Sequence, residues 1–372
     1  MSVSHLWLGL LSSIVVFLAC FSGSIYAFKQ QITDLVNREG AFLQDRGIQL
    51  VNADSVLAAF EDRFGPATSI TFYPDEGRSA LVSSFSRNDP GVAAYINPHN
   101  AEIIDVQSSS LNSFFAFVLD LHRFLLAGDV GKVVNGIAIL IFVFMLFSGF
   151  ILWLPKKIKH MKQGLAIRWK ARFYRLNYDL HKVLGFYSLI LLFFIAMTGL
   201  YVSFHWMKNV IIMSLGGDSI VISDSNLALK KDLSDSFNSL LNEMAEEKKD
   251  TITAIWSLRD ILDKTNETFP GKGIITVQLP NELTNNVSAV KLSNQNTLRF
   301  YVPDVIEFSP SGNIRKTTPF FSLPLHEQFK AVAKPLHTGE IMGLPGIILY
   351  FLVSLIGCSL PITGVIIWWK KR

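Results

Sequence analysis

One set of spacings occurs twice in this chain, and it limits the possible folds more than any other feature. His122 is followed by Gly131 at +9, Ser148-Gly149 at +26 and +27, Trp153 at +31 and Lys156-Lys157 at +34 and +35; His337 is followed by Gly346, Thr363-Gly364, Trp368 and Lys371-Arg372 at the same offsets. A second set relates His5, Gly9 and Ser22-Gly23 to His181, Gly185 and Thr198-Gly199, at +4, +17 and +18. Self-similarity of this kind marks a duplicated architecture. Both sets run along apolar segments, so the expected fold class is an α-helical membrane protein, with four transmembrane helices in two tandem repeats.

Leu6 to Phe28, Lys132 to Leu154, Leu180 to Phe204 and Leu344 to Trp369 are each about as long as a helix needs to cross roughly 30 Å of hydrocarbon. Leu6 to Ala27 reads as a retained span, not a cleaved signal peptide. No basic residue precedes the apolar run, which is longer than a usual signal core and matches the third span. Eight basic residues and no acid lie between Lys156 and Tyr178, and the chain closes on Lys370, Lys371 and Arg372, which predicts cytoplasmic N- and C-termini. In a bacterium this is the inner membrane, with the two long segments exported to the periplasm. The net charge of +4 is accounted for by the basic loop, which suits anionic lipid and implies no nucleic acid. Cys20 and Cys358 both fall in spans and suggest no disulfide framework.

Each exported segment reads as a small α+β unit. In the first, Ser55 to Phe64 has helical periodicity, Gly65-Pro66 stops it, and β-rich runs follow at Ile70–Tyr73, Ala80–Ser84, Ala93–Asn97 and Glu102–Val106. In the second, Ile255 to Asn266 is helical, and strands are expected at Ile274–Leu279, Val287–Leu292, Thr297–Val302 and Val305–Phe308, with a last short strand after the turn at Ser309–Asn313. Residues 219–249 have no equivalent in the first half, and their charge pattern suggests surface helices. The chain thus divides into a first transmembrane helix (1–28), an exported unit (29–119), a second transmembrane helix with its histidine segment (120–155), and a basic cytoplasmic loop (156–178). A third transmembrane helix (179–206), a second exported unit (207–335) and a fourth transmembrane helix with its histidine segment (336–372) complete it.

A single histidine at the end of a span is ordinarily an idle interfacial residue, but four at matched positions of a duplication are ligand candidates. Neutral imidazole supplies both axial positions of an electron-transferring haem without burying a charge. Topology suggests the pairing. His5 and His181 open the first and third spans and belong to the cytoplasmic face, whereas His122 and His337 precede the second and fourth and belong to the outer face. A pseudo-two-fold axis along the membrane normal would bring each pair together. Gly9 and Gly185 leave room for a flat macrocycle, and Gly23, Gly149, Gly199 and Gly364 are expected to let helices approach closely. Arg123 near His122, and Lys182, Arg175 and Tyr178 near His181, are available to haem propionates. Trp153, Trp368 and Trp369 are expected as interface anchors. His205 reads as interfacial, His160 as solvated, His99 as a turn residue and His326 as a candidate for an outer substrate surface.

The His-x-x-x-Gly helices, the closing Ser/Thr-Gly pairs, the α+β units, "PLHTGEIMG" and "GVIIWWKKR" together resemble the PepSY-associated transmembrane helix family of iron-regulated membrane proteins, which includes siderophore reductases. The resemblance covers nearly all of the chain. It implies exported PepSY-like units, two haem b groups and reduction of a ferric siderophore on the periplasmic side, releasing Fe(II) for uptake. No dinucleotide fingerprint, phosphate loop or cysteine cluster is present, so electrons are expected from a quinol or a cytoplasmic reductase. The alternative is a haem-free, non-enzymatic anchored module whose PepSY-like units bind or inhibit a partner. A metal permease ranks below both, because polar residues in mid-span are almost lacking.

Overall fold

A helix that is apolar on every side has no aqueous face, and four such helices make up one end of the molecule: Val3–Ala27, Gly128–Trp153, Phe173–Ser203 and Gly343–Lys371. The computed structural model describes residues 3–43, 53–86, 89–155, 157, 161–218, 256–280 and 287–371. The first and third spans each pack on both the second and the fourth, so the four form a closed ring. At mid-height all four contribute to one apolar cluster that includes Val16, Phe142, Leu192 and Val353. Several hydroxyls inside the spans bond back to their own helix, as Ser12 does to the Leu8 carbonyl (2.9 Å) and Ser188 to that of Leu184 (2.7 Å).

Eight antiparallel strands form a single sheet at the other end, in the order β4-β3-β2-β1-β5-β6-β7-β8. The first four are Ser69–Phe72, Ala80–Ser86, Asp89–Ile96 and Ile103–Val106; the last four are Ile274–Gln278, Val287–Ser293, Val302–Phe308 and Ile314–Thr318. Each half of the chain contributes a four-strand meander, and the two join where β1 pairs with β5 in the register Ile70↔Val277 and Thr71↔Thr276. Antiparallel pairing of the first strand of each half is the relation a two-fold axis between them would produce. Helices Ala53–Phe64 and Leu258–Thr268 cover one face, inserting Val56, Phe60, Leu258 and Ile261 among Ile70, Val82, Val277 and Ile306. Lys291 is also buried on that sheet, and its ammonium donates to Asn266 Oδ1 (2.7 Å) and the Phe269 carbonyl (2.6 Å), which replace part of its lost hydration.

Sheet and spans are tied together by short helices. Lys29–Val36 continues the first span, and its Asp34 forms a 3.0 Å ion pair with Arg78, whose guanidinium lies 4.0 Å from the Tyr73 ring centre. Ser109–Phe124 leaves β4 and leads to the second span; Leu325–Thr338 leads to the fourth. Both end in left-handed backbone, at Leu125 and Leu126 (φ 50° and 58°) and at Gly339 (φ 83°), which turns the chain sharply into the span.

Three expectations change. The two β-units are one continuous sheet, because the edge strands β1 and β5 satisfy each other's backbone groups. Thr297–Val302 and Val305–Phe308 are not separate strands: Asn296 bonds both the amide and carbonyl of Phe300 and Arg299 is left-handed (φ 53°), so the first run is a turn and β7 runs unbroken from Val302 to Phe308. Trp153 is not an interface anchor. It is buried, stacked 3.7 Å from Phe186, and donates to the Gly164 carbonyl (3.1 Å), whereas Trp369 is exposed. The surface helices expected over 219–249, and His160, lie outside the described residues.

Candidate functional site: two histidine-paired pockets

The ring of spans encloses two pockets, one above and one below the mid-height cluster, with Phe142 lining both. The loop-side pocket, next to the basic connection after the second span, is lined by His5 and His181 together with Gly9, Gly149, Gly185 and Gly364, and contains about 1180 Å³ of non-atom space including its mouth. The sheet-side pocket is lined by His122 and His337 with Gly23 and Gly199, and contains about 1640 Å³ on the same measure. The His122 and His337 rings face each other with centres 6.1 Å apart and planes inclined by 44°.

A single rule orients all four rings. Each histidine presents Nδ1 to the neighbouring span of its own half, at the Ser/Thr that precedes a glycine. His5 meets Ser148 Oγ at 2.8 Å, and His181 meets Thr363 Oγ1 at 2.8 Å. His122 meets the Ala19 carbonyl at 2.9 Å and Ser22 Oγ at 3.3 Å; His337 meets the Ile195 carbonyl at 3.0 Å and Thr198 Oγ1 at 3.1 Å. A carbonyl can only accept, so Nδ1 of His122 and His337 carries the proton. Thr363 already donates to the Ser359 carbonyl (2.8 Å), so it too accepts from its histidine. In this tautomer Nε2 holds the lone pair, the arrangement found where imidazole binds a metal. Burial keeps His122 below the ordinary histidine range, opposed in part by the Ala19 bond, and takes His337 to about 4 with the neighbouring His122 adding to the shift. Both are therefore neutral near pH 7.

The glycines make room for the rings. A Cβ on Gly23 would stand 2.9 Å from His122 Cε1, one on Gly199 3.0 Å from His337 Cε1, one on Gly149 3.3 Å from His5 Cε1 and one on Gly364 3.6 Å from His181 Cε1. These four positions therefore admit imidazoles, where the spacing alone suggested close helix contact. At Gly131 a Cβ would collide with the Phe124 carbonyl, and at Gly346 with that of Gly339, so the duplicated +9 glycine lets each short histidine helix fold tightly onto its span.

Two metal–imidazole bonds of about 2 Å each, with about 1 Å more from each nitrogen to its ring centre, require ring centres about 6 Å apart, which the 6.1 Å between His122 and His337 meets. Among the described residues no three His, Cys, Asp or Glu side chains gather as metal ligands. A bare ion would thus have two protein ligands per pocket, too few for a structural zinc site, while an iron porphyrin brings four nitrogens of its own. Walls that are mostly apolar also suit a macrocycle. In the sheet-side pocket Arg123 Nε and Asn135 Oδ1 are buried without hydrogen-bond partners, and a haem edge is a group that could engage them. The residues fit haem.

The remaining candidates divide. Arg123 lines the sheet-side pocket, and Tyr178 and Lys182 line the loop-side pocket. Arg175 does not; it is paired with Asp179 at 3.2 Å. His205 is exposed at the start of His205–Ser214 and His326 lies near Glu327, and neither lines either of these two pockets. His99 occupies the predicted turn, its amide bonded to Asn97 Oδ1 (2.8 Å). The hydroxyls of Ser22, Ser148, Thr198 and Thr363 escaped the sequence reading as orienting groups; their invariable position just before the ring-admitting glycine was the available signal. Lys334 and Tyr26, also in the sheet-side pocket, carried no such signal.

The family model described as the PepSY-associated TM region matches residues 3–371. Comparison with curated proteins returns no match.

Proposed function

The chain belongs to the PepSY-associated TM region family, and we propose that it is a di-haem b electron-transfer protein of the bacterial inner membrane, built from two tandem copies of span, α+β unit and span. In this reading the sheet is exported, the basic loop and both termini are cytoplasmic, and the electron acceptor is Fe(III) in a periplasmic siderophore. Two haems, held by His5 with His181 and by His122 with His337, would supply one-electron transfer between the two faces of the membrane. The single observation that carries the proposal is the facing of His122 and His337 at 6.1 Å.

The chain's own residues do three things. The Ser/Thr hydroxyls and the Ala19 and Ile195 carbonyls hold each Nδ1–H, which commits Nε2 to the pocket and stops the ring from turning away. The mid-height apolar cluster keeps water out between the pockets. The sheet-side histidines sit on short helices ahead of the spans, and in this reading that pocket lies near the exported face, within reach of a bulky chelate. Gain of one electron converts Fe(III) to Fe(II), which hard oxygen donors hold less well, and the electron is drawn from a quinol or a cytoplasmic reductase.

Purified protein from haem-sufficient cells should show a Soret band, reduced α-bands and two haems per chain. Reduced with dithionite and mixed anaerobically with a ferric siderophore, it should reoxidise as Fe(II) appears in a trapping dye. Reduced bands that persist in the presence of the chelate would exclude the reductase role. Folded protein without colour would instead favour an anchored binding module.

A further inference from the structure

The mouth of the sheet-side pocket carries three cations that the histidine arrangement does not use. Lys29 follows the first span, Arg123 follows His122, and Lys334 precedes His337 by three residues. Arg123 and Lys334 line the pocket with Tyr26, and Lys29 Nζ lies 5.7 Å from the centre of the Tyr26 ring. Among the described residues none of the three forms an ion pair, with nearby Glu340 or with any other acid. Arg123 Nε is buried without a hydrogen-bond partner. Desolvation holds the Lys29 ammonium below the ordinary lysine range, and the charge of Lys334 lowers it further. Gathering like charges at a half-buried rim costs free energy unless an anion comes between them. Duplication does not account for them either: at the equivalent positions stand His205, Thr338 and Leu119, and among the described residues Lys182 is the one lysine or arginine lining the loop-side pocket.

We propose that Lys29, Arg123 and Lys334 form a carboxylate-binding site at the mouth of the sheet-side pocket. Guanidinium offers a carboxylate two parallel N–H donors, and the two ammonium groups add charge at the same rim. The carboxylates have two sources: the propionates of a porphyrin seated between His122 and His337, which rests on the function proposed above, or an anionic iron chelate arriving from solvent.

The test compares wild type with K29Q/R123Q/K334Q, using K29R/K334R as the charge-conserving control and the loop-side haem spectrum as the check on folding. In one arm haem-free protein is titrated with iron protoporphyrin and with its dimethyl ester. Wild type should prefer the free acid by about 10-fold or more, the size expected for one or two hydrogen bonds to a charged group, and the triple variant should lose that preference. In the other arm the reduced, loaded protein is reoxidised by ferric citrate and by an uncharged ferric chelate. A similar rise in KM for citrate alone identifies the solvent source. If wild type shows neither preference, or the variant keeps both, the site is refuted. If no haem binds at all, the functional reading fails separately. The anion site is then judged by citrate at constant ionic strength, which should raise the Tm of haem-free wild type and not that of the variant; equal shifts refute it.

Discussion

The two pockets use the same parts with different tolerances. On the loop side the histidines belong to the spans themselves, their closest Nδ1 contacts are hydroxyls at 2.8 Å, and the glycines opposite leave 3.3 and 3.6 Å to the rings. On the sheet side the histidines stand on separate short helices, their closest contacts are backbone carbonyls at 2.9 and 3.0 Å, and the glycines leave only 2.9 and 3.0 Å. A histidine on a short helix that crosses a neighbouring span can reach a carbonyl one turn below that span's Ser/Thr. The shortest ring contact is thus a side chain on the loop side and a backbone carbonyl on the sheet side, where the glycines also pack more closely.

The largest expected effect separates the pockets outright. His122→Ala or His337→Ala should reduce the haem content from two to one and spare the loop-side spectrum, and His5→Ala or His181→Ala should do the reverse; pyridine haemochrome stoichiometry reads both. Loss of both haems from every single variant would show that the pockets are not independent. Next come the glycines. Gly23→Ala and Gly199→Ala push a methyl into an imidazole and should weaken sheet-side haem by about 1–3 kcal/mol, roughly 5- to 150-fold. Gly364→Ala, at ordinary contact distance, should leave loop-side affinity within about 2-fold. Equal sensitivity in haem titrations would remove the contrast in packing.

The hydroxyls should act in the opposite sense. Ser148→Ala removes the 2.8 Å partner of His5 and should cost about 0.5–1.5 kcal/mol of loop-side haem binding. Ser22→Ala should cost less, because His122 keeps the Ala19 carbonyl. A larger loss at Ser22 would reverse the assignment of backbone and side-chain support. The smallest effect concerns pH in haem-free protein. His337 titrates near 4 when folded and near about 6.5 when unfolded, so the unfolded chain takes up its proton first as pH falls. The contribution of this group to stability is whole above pH 6.5 and lost on the way down to about 4. The Tm of wild type should therefore fall more steeply across that window than that of His337→Gln, and parallel slopes would show that the ring is already protonated or solvated.

Much of the architecture was legible because it rests on local composition. Uniform apolarity made three spans readable to within about four residues, while the third helix begins at Phe173, ahead of the expected Leu180, because its first two turns are polar; alternating and 3.6-residue patterns marked Ala53–Phe64 and most strands, and Ser309–Asn313 announced its turn. The run at Thr297–Val302 misled, since its β-prone residues are overruled by Asn296 closing on Phe300. Trp153 misled in a similar way: a tryptophan beside lysines looks interfacial until a neighbouring ring, Phe186, covers it.

By itself the sequence determined that four spans exist, that four histidines and their glycines are duplicated along them, and which histidines share an end of the bundle. These follow from composition and spacing, which are properties of one segment at a time. Only the tertiary structure decided that the two β-units close into one sheet, that each Ser/Thr-Gly receives a ring from another helix, and that Lys29, Arg123 and Lys334 meet at one rim. Each of these joins residues far apart in the chain, and such contacts depend on how helices cross and strands pair, which no single segment encodes.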